Sequence, residues 1–208
     1  LVGHRSMGMT LQIDLVGATS SPQGTPNSRA TSPRRAVDLT QPPGRDFRTR
    51  DARLPPLEAR RTHRVDLTVR ERELEVAPAT TLAAMTYNGQ FMGPVLQARL
   101  GDRMQVHLVN DGSMGHSIDF HASRASPDTT MRTISPGQSL DVEFTIDHAG
   151  IWLYHCSTMP MSAHIAAGMF GALIVAPADL PTVERQYVLV QSETYLAEQN
   201  NQPVDTGK

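Results

Sequence analysis

One cysteine, Cys156, stands alone among 208 residues. No internal disulfide can form, and the thiol is left as inert packing, an exposed reactive group or a metal ligand. This scarcity leaves the redox compartment open, because a metal-bound thiolate persists in an oxidising space without any disulfide. An excess of one charge is also lacking: 19 Lys and Arg against 21 Asp and Glu leave a formal net charge of -2. Such a balance offers nothing to a polyanion, and no nucleic acid partner is expected. No run approaches the roughly 18 consecutive apolar residues of a membrane-spanning helix, and there is no internal repeat. The chain opens on Leu1 rather than Met, with no secretory signal in view, so a processed or partial chain is expected.

Residues 1–61 are rich in Pro, Ser, Thr, Gly and Arg, as in SPQGTPNSRATSPRR and QPPGRDFRTRDARLPP. They predict a tail or linker, disordered in isolation. From about residue 62 short alternating apolar runs take over: HRVDLTVR, PVLQARL, RMQVHLVN, SLDVEFTI, GIWLYHC and FGALIVA. Each reads as a half-buried strand, and YNGQFMGP, NDG, SPGQ and HAG supply the turn residues between them. The spacing predicts an all-β domain over 62–178, an antiparallel sandwich or Greek-key barrel. Beyond the turn at Pro177–Pro181, ERQYVLVQSETYL predicts the first strand of another unit, with 183–208 its incomplete beginning.

Two segments carry the chemistry: GHSIDFHA, with His116, Asp119 and His121, and YHCSTMPMSAHIAAGM, with His155, Cys156, His164 and Met169. Adjacent strand residues face opposite sides, so His155 and Cys156 diverge. His116 and His121, five apart, also diverge if their segment stays extended. Each segment therefore offers one ligand to either face, and the pattern predicts two metal sites back to back. Two imidazoles, a thiolate and a thioether (His116, His164, Cys156, Met169) form the donor set of a blue-copper electron-transfer site, whereas zinc favours more thiolates or a closed set without Met. Each of the four alone would read as packing; Met159 and Met161 are weaker axial candidates. The second site holds His121 and His155 and lacks a third protein ligand in the sequence nearby. Asp119, two residues before His121, falls on the same face, where a carboxylate delivers protons or holds water. The His155–Cys156 pair then offers an electron a short covalent route, across about 10 Å given Cα atoms ~3.8 Å apart. His107 reads as an exposed strand residue, His148 as a turn residue, and His4 and His63 as lying in or near the tail.

At these residues the chain resembles the first domain of the copper-containing nitrite reductases, within the cupredoxin and multicopper oxidase superfamily. The resemblance covers about 62–178, with 183–208 similar to the start of a second cupredoxin domain. It implies type 1 copper on His116, Cys156, His164 and Met169, type 2 copper on His121 and His155, and a proton-relaying role for Asp119. It further implies nitrite as substrate, a small redox protein (a cupredoxin or cytochrome c) as electron donor, and a periplasmic or extracytoplasmic location, with envelope attachment left open. A homotrimer is implied too, whose second domain supplies a third type 2 histidine and a catalytic histidine. Neither belongs to this chain, so the chain by itself is expected to load type 1 copper but to turn over poorly.

Three functions compete. A nitrite reductase, forming nitric oxide with electrons relayed through His155–Cys156, uses every ligand found. A laccase-like multicopper oxidase needs His-x-His and His-Cys-His motifs, yet Ser157 follows Cys156 and Ile118 lies two after His116. A non-enzymatic blue-copper carrier leaves His121, His155 and Asp119 idle.

Overall fold

The computed structural model describes residues 37–205 other than Asp46, Arg48 and Thr182. These residues form eight strands: β1 (Thr62–Ala77), β2 (Thr80–Tyr87), β3 (Leu96–Arg99), β4 (Arg103–Asn110), β5 (Asp119–Phe120), β6 (Ser139–Thr145), β7 (Gly150–His155) and β8 (Phe170–Ala176). Among the described residues two short helices interrupt them, α1 (Pro127–Thr130) and α2 (Met161–Ala166). The strands form two four-stranded sheets, ordered β2-β1-β4-β6 and β3-β8-β7-β5. No described helix is long and apolar enough to cross a membrane.

Alternation dictates which face each strand buries. In β4, Met104, Val106 and Leu108 point inward and are almost fully buried; opposite them across the antiparallel ladder stand Phe144, Val142 and Leu140 of β6. Tyr154, Leu173 and Val175 answer from the second sheet, and Phe120 joins them, its ring 5.0 Å from Phe144 and 5.3 Å from Tyr154. Burying a side chain of this size stabilises by roughly 1.5–3 kcal/mol. Gly171 pairs with Tyr154 across β7 and β8, and a Cβ there would fall 2.3 Å from the tyrosine ring and hydroxyl. Only a glycine leaves room for Tyr154, whose hydroxyl donates to the Pro94 carbonyl at 2.6 Å.

The structure corrects four expectations. The sheets are not wholly antiparallel: β1 runs parallel to β4, and β3 parallel to β8. Periodicity assigns a strand its faces but says nothing of its partner's direction. The strand β2 was not foreseen, because its buried row of Thr80, Leu82, Ala84 and Thr86 holds one large apolar side chain among small or polar ones. His63 belongs to β1, not to a tail; it is buried, and its Nε2 lies 2.7 Å from Asp102 Oδ2. The predicted strand within 184–196 is reduced to one isolated bridge, Tyr187 to Arg53, flanked by backbone bonds from Leu54 to Gln186 and from Val188 to Ala52. A strand needs a continuous ladder, and this short stretch provides too few partners.

Residues 37–61 form no helix or named strand, but several contacts hold them to the sheets. The Gly44 amide donates to Glu75 at 2.8 Å, and Arg50 donates to the carbonyls of Phe91 and Met92 at 2.8 and 2.9 Å. Residues 1–36, the greater part of the expected tail and including His4, lie outside the described residues.

Candidate metal centre

Strand β7 sets the geometry. Tyr154 turns into the sandwich while Ile151 and Leu153, on the alternate face, stay exposed. By the same parity His155 belongs to the outer face and Cys156, just past the strand end, to the inner one. The two residues accordingly enter different clusters. His116, Cys156 and His164 bring their ligand atoms within 4.8 Å of one another, and so do Asp119, His121 and His155.

In the inner cluster all three residues are buried, and Cys156 Sγ lies 4.0 Å from His116 Nδ1. His116 is not on a continuous strand with His121 but in an isolated bridge with Ile134, while β5 is only two residues long. His164 stands on α2, not on a plain loop, and its ring meets that of His116 edge-on at 5.2 Å. Met169 is fully buried. Its carbonyl accepts from the Cys156 amide at 3.0 Å and its amide donates to His164 at 3.1 Å, which closes the 156–169 segment on itself. Gly168, at φ +114°, makes that closure possible. Met159 is 78% exposed, unlike a metal ligand.

In the outer cluster the short β5 pairs antiparallel with β7, so that Asp119 sits directly opposite His155. Opposed residues share a face, and His121 two positions on joins them, its amide bonded to the Leu153 carbonyl at 3.1 Å. His121 Nε2 lies 3.0 Å from His155 Nε2 and 3.4 Å from Asp119 Oδ2. The carboxylate thus completes three donors where the sequence offered two imidazoles.

Imidazole hydrogen bonding tests whether a metal suits these donors. His116 gives its Nε2–H to Glu71 Oε1 at 3.2 Å, His155 its Nδ1–H to the Cys156 carbonyl at 2.9 Å, and His164 its Nδ1–H to the Pro160 carbonyl at 3.0 Å. All three acceptors are oxygens that cannot donate, so each ring keeps its other nitrogen as a bare lone pair. For His164 that atom, Nε2, is buried and has no partner. A ring oriented by an oxygen on one nitrogen, with the other left as an acceptor, is the ordinary preparation of metal-binding histidine. Burial pushes the His116 and His155 pKa values down, favouring the neutral form a metal requires. Burial raises that of Asp119, but the hydrogen bond from His121 and the neighbouring imidazoles outweigh it and hold the carboxyl below its usual range.

Sequence reasoning missed three supporting groups. Tyr87, fully buried, donates its hydroxyl to the Ser117 carbonyl at 2.7 Å. The Ser117 hydroxyl accepts from the Ser157 amide at 3.0 Å and sits 3.7 Å from Cys156 Sγ. Glu71 touches His116. Of these only Ser117, next to a candidate ligand, carried a signal.

The fold is that of a copper protein family. A multicopper oxidase family model matches residues 68–179, more than half of the 208 residues, and the chain belongs to that family. A copper-containing nitrite reductase of Pseudomonas chlororaphis is 37% identical over 129 residues, covering 56% of this chain and 36% of that protein. One from Rhizobium sullae is 32% identical over 194 residues, covering 88% and 50%. Among solved structures, a copper nitrite reductase from Nitrosomonas europaea superposes with a TM-score of 0.62 at 37% identity, covering 66% of this chain and 50% of that one. The chain spans half or less of the length of these relatives.

Proposed function

We propose that this chain is the copper-binding portion of a nitrite reductase that forms nitric oxide. His116, Cys156, His164 and Met169 hold type 1 copper, and His121 and His155 hold type 2 copper. Copper held by these residues would supply one-electron redox chemistry for the reduction of nitrite. Every other role falls to the residues. Cys156 and His155 supply a continuous covalent path between the two clusters. Asp119, 3.4 Å from His121 and held ionised, accepts a proton and returns it to the substrate oxygen. Leu153 and Ile151 extend the face on which this site opens.

The observation that carries the reading is the divergence of one dipeptide into two donor clusters. A single-copper carrier would have no use for the outer one, and Ser157 after Cys156 tells against an oxygen-reducing trinuclear cluster. The resemblance extends the proposal to residues 62–178 as one cupredoxin domain, 183–208 as the start of another, a homotrimer, a cupredoxin or cytochrome c donor, a periplasmic or extracytoplasmic location and a denitrifying role. The test is copper loading of the purified full-length protein, with metal analysis, visible absorption and nitrite turnover from a reduced dye. Two coppers per chain, an intense thiolate-to-copper band absent from Cys156→Ser, and nitric oxide formation are expected. One copper per chain, or turnover of oxygen but not nitrite, overturns it.

A further inference from the structure

We propose that Glu71 is a positioning residue for the inner cluster, holding the His116 ring and setting the charge around the metal that Cys156 binds. The inference rests on the copper reading above. Glu71 extends the inward-facing row of β1, after Leu67 and Val69, at a position where an apolar side chain would continue the core. Its carboxylate instead has two attachments. It accepts the Ser113 amide at 2.9 and 3.0 Å, and it accepts His116 Nε2–H at 3.2 Å. Its side chain is 29% exposed and that of His116 fully buried, so the contact lies where water competes poorly.

The consequences follow from geometry. Ser113 fixes the carboxylate to the 110–116 loop, which Asn110 also braces through the carbonyls of Met114 and Ile134 at 2.8 and 2.9 Å. Glu71 thereby ties β1 to the segment carrying His116 and commits that ring to present Nδ1 to Cys156. A carboxylate behind an imidazole increases its donation to the metal, and its negative charge favours the more highly charged ion, Cu(II) over Cu(I).

Three variants of the full-length protein test this. Glu71→Gln keeps an oxygen to accept a hydrogen bond but removes the charge. It should retain the thiolate-to-copper band, lose about tenfold to a hundredfold in Cu(II) affinity, and shift the midpoint potential upward. Glu71→Ala should do more. Glu73→Gln removes the same charge from the same strand at an exposed site bonded to Thr81, and should match the parent. The potential is the discriminating measurement, since a merely structural role would leave it in place. A Glu71→Gln protein with parental affinity and potential overturns the inference even if Glu71→Ala fails to fold. A parent without the thiolate-to-copper band overturns the copper reading, and this inference with it.

Discussion

Tyr87→Phe removes one oxygen and leaves the ring, so its effect isolates a hydrogen bond that reaches the backbone beside Cys156 from a strand on the other sheet. Both Tyr87 and Ser117 are 0% exposed, and the hydroxyl donates to the Ser117 carbonyl at 2.7 Å. Burial pushes the Tyr87 pKa well up, which keeps the proton in place to be donated. The phenyl ring would preserve contact with Tyr154, whose centroid lies 5.8 Å away, and no cavity of consequence opens. What is lost is a net bond of ~0.5–1.5 kcal/mol, together with a buried carbonyl deprived of its donor at ~1–3 kcal/mol. A destabilisation of about 2 kcal/mol is expected, equal to a fall in Tm of about 4–8 °C for a domain of this size. Urea unfolding followed by fluorescence of Trp152, the sole tryptophan, should show a lower midpoint with an unchanged slope. Tyr195→Phe, which severs a solvent-facing bond to Glu193, should leave the midpoint where it was. If Tyr87→Phe stays within about 0.5 kcal/mol of the parent, the range of inconsequential surface changes, the reasoning from burial is refuted.

Further outcomes concern packing, pH and turnover. Gly171→Ala puts a methyl 2.3 Å from the Tyr154 ring and should lower stability by about 1–3 kcal/mol, measured by the same unfolding curve; an unchanged midpoint would mean that Tyr154 is free to move. Burial raises the pKa of Asp102, but the hydrogen bond from His63, the Arg99 amide and the charge of Arg61 outweigh it and hold the carboxyl below its usual value. Its stabilising effect is therefore complete above the unfolded pKa of about 3.9 and is lost as pH falls through the lower folded value. Asp102→Asn should flatten this acid limb in a series of unfolding curves, and a parental pH profile would count against the assignment. Asp119→Asn in the copper-loaded full-length protein should cut nitrite turnover by about 10²–10⁴-fold with the thiolate-to-copper band unchanged; full turnover removes Asp119 from the proton path.

The grouping of these side chains into two clusters is legible in one dimension because its rule is local. Strand side chains alternate, so the adjacency of His155 and Cys156 already separates two clusters, and the two-residue step from Asp119 to His121 already joins a carboxylate to an imidazole. Strands built on strong apolar alternation, such as β4 and β6, were readable for the same reason. Other features depend on partners distant in the chain. That β1 runs parallel to β4, that a weak run of Thr and Ala forms β2, that 184–196 finds no ladder, and that Asp119 faces His155 across β5 and β7 are all outcomes of packing two sheets together. So is the capture of His116 by Glu71, 45 residues earlier. Periodicity along a strand records only which way a side chain turns; what it meets there is decided when remote segments close around the same space.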